Sequence, residues 1–214
     1  MNVVFISPQF PDTYWNWCDR LRRNGATVLG IGDTPYGTTA PELRASLDEY
    51  YYVTSLEDYD QVFRAVAFFS WKYGKIDWLE SQNEYWLSQD ARLRDDFHIT
   101  TGAGVEQMAQ WQSKAQMKPL YAAAGVPTAR QVLLNDAETV HAFAKEVGYH
   151  LFAKPERGVG ASGTFKLTGE AALEALLARN LEEPYVLEEF VTGDICSYEA
   201  VIDAEGNPLF ENQS

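Results

Sequence analysis

The sequence predicts an α/β protein: a front domain on a parallel, Rossmann-like sheet, followed by a smaller α+β domain. Three observations carry this. In the front part, short apolar runs alternate with segments of helical spacing, the pattern of a parallel sheet with helices on both faces. A small, glycine-containing stretch, Thr101-Gly-Ala-Gly104, then interrupts the alternation and sets the expected domains at 1–103 and 104–214. Beyond it, strand patterns follow one another across turns with no helix between them, on either side of 158–163 and of 203–208.

Taken in order, Asn2 to Ile6 (NVVFI) reads as a buried first strand, broken by Pro8 and Pro11. Trp15, Cys18, Leu21 and Arg22 keep helical spacing up to Asn24-Gly25, a helix stop signal. Thr27 to Ile31 and Glu49 to Thr54 are the next strands. Tyr59, Val62, Phe63, Val66, Phe69 and Tyr73 mark a helix ending at Gly74. Ile76 to Leu79 is a short fourth strand, followed by the polar run from Glu80 to Glu84. A ligand of an open parallel sheet would sit at such a strand end, although a plain polar loop fits the run better.

In the rear domain, helices are expected from Val105 to near Ser113 and within Lys114 to Ala124, where Pro119 implies a kink or a restart. Arg130 to Leu134 reads as a strand and Ala137 to Val147 as a helix. Leu151 to Lys154, Thr164 to Leu167 and Tyr185 to Phe190 are strands, with a helix around Ala171 to Leu177 between the last two. Residues 195–202 alternate like a strand and lead through Asp203–Pro208 to Leu209 and Phe210, the start of a return strand. Only six residues follow that turn, which would leave an open edge. The rear domain is therefore expected to be incomplete, truncated or finished by a partner.

Composition narrows the function classes. With 46% hydrophobic and 22% charged residues, and 12 Tyr, 11 Phe and 6 Trp, the chain can bury a core. Its net charge of -14 repels nucleic-acid phosphates and anionic membranes alike. Two cysteines, Cys18 and Cys196, form no CxxC pair, so no disulfide framework or zinc site is indicated. No secretory leader and no apolar run of about 20 residues is seen, and a cytoplasmic enzyme or binding protein is the default.

Residues 158–163, Gly-Val-Gly-Ala-Ser-Gly, match GxGxxG. A dinucleotide loop needs a strand before it and a helix after it. Here Thr164-Phe-Lys-Leu167 follows, a strand. The segment is better read as the tip of an antiparallel hairpin. Its glycines would still let several N–H groups face one anion. Lys154, just before the loop, could meet phosphates held there; a solvated lysine is the plainer alternative. In Tyr185-Val-Leu-Glu-Glu-Phe-Val191, Glu188 and Glu189 must face opposite sides of a strand.

Three motifs now fall in order. Lys114 precedes Gly125-Val-Pro127, Phe152-Ala-Lys-Pro155 precedes the glycine loop, and Val186-Leu-Glu-Glu-Phe-Val-Thr-Gly193 closes the series. Over roughly 105–203 the chain resembles the first half of an ATP-grasp domain, and the front part is similar to the Rossmann-like domain ahead of it in biotin carboxylase and carbamoyl phosphate synthetase. The resemblance implies an ATP-dependent ligase that activates a small-molecule carboxylate as an acylphosphate. ATP and Mg²⁺ are the implied cofactors, and a homo-oligomer is compatible with it. Lys114 and Lys154 would contact ATP phosphates. Gly158, Gly160, Ala161, Ser162 and Gly163 would cover them. Glu188, with Glu189 beside it, would accept from the adenine amino group through its carbonyl or side chain. Val191 would offer its N–H to the ring, and Phe190 would pack near the base.

Two departures stand out. Where the family often has a ribose-binding Glu, this chain has Ile195, with Asp194 as the substitute. The family's metal-binding Glu and Asn residues lie downstream of Ser214, so the 214 residues alone are expected to be inactive, no metal ligand is assigned among them, and no catalytic residue is named. Two alternatives come from other classes: an NAD(P)-binding Rossmann oxidoreductase, against which Ser7-Pro-Gln-Phe-Pro11 lacks glycines, and a non-catalytic interaction module.

Overall fold

The computed structural model describes residues 1–158, 162–203 and 205–214. The chain divides into two compact units, Met1–Ser113 and Lys114–Ser214.

In the front unit β1 (Asn2–Ile6), β2 (Thr27–Gly32), β3 (Glu49–Tyr52) and β4 (Trp78–Glu80) form a parallel sheet in the order β3-β2-β1-β4. Both faces are covered, which is why NVVFI shows no polar alternation. Val4 and Ile6 face a core that includes Val62, Val66 and Phe69 of α3 (Tyr59–Tyr73). Val3 and Phe5 face Cys18 of α1 (Trp15–Arg23) and Leu43 of α2 (Pro41–Ser46). The Asp58 carboxylate caps α3, accepting from the N–H groups of Asp60 and Gln61, and Gly74 ends it at φ 84°.

Two helices here were not legible in the sequence. One is α2, a short turn begun by Pro41. The other is α4 (Leu87–Asp96), whose buried face carries Asp90 and Arg94 beside Ala91 and Leu93. A helix that buries charged groups hides its hydrophobic period. Arg94 is 2% exposed. It donates to the carbonyls of Leu79 (3.0 Å) and Ala103 (2.7 Å) and pairs with Glu80 at 3.0 Å. Gly102 leaves room for it: φ is 88°, and a Cβ there would lie 2.9 Å from Arg94 Nε.

The units meet ten residues later than the glycine stretch suggests, at 113/114 rather than 103/104. Helix α5 (Val105–Trp111) stays with the front unit because Met108 packs on Ala91 and Ala103.

In the rear unit α6 (Lys114–Ala123) runs through Pro119 without a restart. Then come β5 (Gln131–Leu133), α7 (Ala137–Val147), β6 (His150–Pro155), β7 (Phe165–Thr168), α8 (Glu170–Leu177) and β8 (Tyr185–Glu189). The four strands form an antiparallel sheet in the order β5-β8-β6-β7. One face, with Leu151, Ala153, Leu167, Tyr185 and Leu187, packs on Val140 and Ala144 of α7 and Leu173 and Leu176 of α8. The last elements, β9 (Tyr198–Ile202) and β10 (Pro208–Gln213), pair as a separate hairpin whose residues are all exposed. Among the described residues, no helix is long and apolar enough to cross a membrane.

Candidate functional site

The rear sheet's other face carries the site, and its rows follow from register. Directly opposed residues of antiparallel strands share a face. Gln131 opposes Glu188, Glu188 opposes Phe152, and Phe152 opposes Lys166. Lys154 opposes Val186 in the next row. All alternate with the core residues, so all face away from α7 and α8.

Three lysines surround Glu188 and the root of the glycine loop. Lys154 Nζ lies 2.7 Å from Glu188 Oε2, and Lys118 Nζ lies 3.2 Å from Glu188 Oε1. Glu188 itself is 7% exposed. Lys114 Nζ donates to the Gly158 carbonyl at 2.9 Å. Glu156, just beyond β6, holds the start of α6 in place. Its carbonyl accepts from Lys114 N (3.0 Å) and its Oε1 from Ala115 N (3.3 Å). Gln131 Nε2 donates to the Lys114 carbonyl at 2.8 Å. The strand end, the helix start and the loop root are thus tied by backbone as well as by charge. With three ammonium groups to one buried carboxylate, the cluster keeps net positive charge, as a polyanion site requires.

The loop is a hairpin tip, as its flanking strands imply: β6 and β7 are antiparallel, and no helix follows the glycines. Gly163 has φ 69°, and its carbonyl accepts from Tyr185 Oη at 2.8 Å. A Cβ there would meet that same hydroxyl at 2.9 Å, so this glycine is demanded by conformation and by space. Ser162 is exposed at the turn. Gly160 and Ala161 lie outside the described residues.

Not every candidate joins the cluster. Glu189 faces the α7 side, where Arg130 donates to it through its N–H and Nε at 2.8 Å each. Those hydrogen bonds hold the Glu189 carboxyl below its usual range. Phe190 stacks on His150, with centroids 4.1 Å apart and an interplanar angle of 11°, under Lys166 Nζ at 4.3 Å. Val191, Asp194 and Ile195 are exposed, Ile195 at 99%. Lys118 and Glu156 escaped the sequence reading. For Lys118 a signal existed: it lies four residues after Lys114, on the same helix face.

In the front unit, the run from Glu80 to Glu84 offers little to a ligand. Glu80 is engaged by Arg94, and Ser81 Oγ donates to Asp90 Oδ2 at 2.5 Å. Burial pushes the Asp90 carboxyl up to about 7, against the opposing hydrogen bond from Ser81 and the charge of Arg94. Burial also raises Glu80, with Arg94 opposing. A cleft of about 690 Å³ opens elsewhere, lined by Pro8 and Gln9 after β1, Thr34 after β2, and Asp12 and Glu42. No lysine or arginine lines it, so it is a poor place for a pyrophosphate.

Comparison with known proteins agrees with this geometry. No protein-family model matches the chain. Over 114 residues it is 37% identical to the D-alanine–D-alanine ligase of Corynebacterium efficiens, covering 50% of this chain and 32% of that enzyme. Among solved structures, N5-carboxyaminoimidazole ribonucleotide synthetase from Thermus thermophilus superposes with a TM-score of 0.67 at 19% identity, over 100% of this chain and 52% of that one. The biotin carboxylase domain of Hydrogenobacter thermophilus 2-oxoglutarate carboxylase, solved with MgADP and bicarbonate, gives 0.65 at 21% identity, over 88% and 44%. The chain belongs to the ATP-grasp superfamily. It spans about a third of the length of the curated relatives it matches, and those relatives are ligases.

Proposed function

We propose that this chain supplies the nucleotide-gripping part of an ATP-dependent, carboxylate-activating ligase. The observation that carries it is the convergence of Lys114, Lys118 and Lys154 on the root of a glycine loop and one buried carboxylate, in a chain whose net charge is -14. Such a local cation surplus in an acidic protein is costly unless an anion uses it.

In this reading Lys114 and Lys154 hold the triphosphate, and Gly158 to Gly163 cover it with backbone N–H groups. Glu188 accepts from the adenine amino group, the Val191 N–H faces the ring, and Asp194 serves the ribose. The whole enzyme transfers the γ-phosphoryl group to a carboxylate oxygen, giving ADP and an acylphosphate. A nucleophile such as an amine then attacks the carbonyl carbon and phosphate leaves. Activation is needed because a carboxylate oxygen is a poor leaving group. The protein's part is positioning and charge neutralisation. Mg²⁺ would bridge and neutralise phosphate oxygens, held by residues outside these 214, so that this chain alone binds nucleotide without turning it over.

The lysines provide the test. Lys154→Ala should weaken ATP binding at least about tenfold, the loss of a charge-assisted contact worth roughly 1.5–3 kcal/mol. Titration calorimetry reads this directly, and unchanged affinity would overturn the assignment.

A further inference from the structure

Lys118 has no part in the phosphate contacts just assigned, yet it is closely fitted. It shares a face of α6 with Lys114, one turn away, but reaches in another direction. Its ammonium lies 3.2 Å from Glu188 Oε1 and donates to the Ala129 carbonyl at 2.6 Å. The two paired side chains are 21% and 9% exposed. Glu188 is thus held by two lysines with different surroundings. Lys154 ends a strand beside the glycine loop, within reach of what the loop holds. Lys118 is fixed at a second point by a backbone carbonyl.

This difference matters once a polyphosphate arrives. Lys154 then turns part of its charge toward phosphate. A buried carboxylate left with no counter-ion is strongly disfavoured. Lys118 keeps Glu188 charged and in place. A carboxylate has about four lone-pair sites, so two ammonium partners leave capacity to accept from an amino group. We propose that Lys118 is a positioning residue that fixes Glu188 as the acceptor for the adenine 6-amino group, and so sets a preference for adenine over 6-oxopurine nucleotides. This rests on the nucleotide-grip reading of the same site. A 6-oxo group is itself an acceptor and would face a fixed carboxylate oxygen unfavourably; a carboxylate free to swing aside would tolerate it.

The experiment measures dissociation constants of ATP and inosine triphosphate for the purified protein and for Lys118→Met, Lys118→Gln, Lys118→Arg and Lys154→Met. Circular dichroism and thermal melting identify which variants are folded. Lys118→Met should lower the ATP preference about tenfold, the loss expected when an acceptor to a donor group is no longer held. Lys118→Arg, which restores the cation, should keep the preference, and Lys154→Met should weaken both nucleotides alike. Lys118→Gln, which retains a donor for the Ala129 carbonyl, substitutes for Lys118→Met if the latter does not fold, and it too should lose the preference. An unchanged ratio in a folded neutral variant, or no adenine preference in the unaltered protein, overturns the role of Lys118 alone. Absence of saturable ATP binding by the unaltered protein overturns the nucleotide reading beneath it.

Discussion

Cys18 and Cys196 show how position decides the chemistry of one residue type. Cys18 is buried against Val3 and Phe5, and burial pushes its thiol up to about 12, against a lowering backbone hydrogen bond. Cys196 is exposed. The thiolate is the reactive form, and access limits it further. A thiol reagent at neutral pH should therefore label one cysteine in the native protein and both after denaturation. Peptide mapping should place the native label on Cys196; rapid labelling of Cys18 would contradict the packing. The same logic separates the neighbouring carboxylates: Glu188 meets two lysines on the site face, while Glu189 meets Arg130 on the other. Strand alternation made their divergence readable from sequence. Which one meets lysines was not, because Lys118 arrives from α6.

At the scale of the element, α4 is the informative one. It fastens the sheet edge by polar means, through Arg94 on Leu79, Ala103 and Glu80, and through Asp90 with Ser81. Arg94→Met should destabilise the front unit by roughly 3–5 kcal/mol, since it strands a buried carboxylate and two carbonyls. A urea melt measures this. Asp90 gives a pH dependence of known sign. Its folded-state value of about 7 lies above the unfolded 3.8. Between those values the folded form holds a proton that the unfolded form has lost, so its contribution to stability declines as pH rises through that window and is gone above it. Asp90→Asn cannot titrate. Relative to it, the unaltered protein should lose melting temperature between about pH 4 and pH 7. Parallel pH profiles for the two would refute the buried acid.

For the molecule as a whole, each unit has its own core, one on both faces of a parallel sheet and one on a single face of an antiparallel sheet. The β9–β10 hairpin has neither. Its Tyr198, Val201, Ile202, Leu209 and Phe210 are exposed at 50% or more. An isolated two-stranded hairpin is marginal in water. Amide hydrogen exchange should therefore be slowest in β1, β2, β6 and β8 and much faster across 198–213, apart from any effect of a partner. Equal protection in the hairpin would show that something in solution covers it.

The sequence by itself determined the order and type of most elements, from Asn2–Ile6 to the closing hairpin. It also established that the GxGxxG run lies between strands. Periodicity and glycine stops are local properties, and these elements obey them. Where local rules were broken for tertiary reasons, the sequence misled or was silent. Helix α4 hid because it buries charges, α5 joined the front unit because Met108 found a pocket there, and Pro119 sits within a helix that continues through it. The tertiary structure alone decided that Lys114, Lys118 and Lys154, separated by up to forty residues, meet around Glu188. Their convergence depends on register, on the Glu156 contacts that fix the start of α6, and on the packing of that helix beside β5.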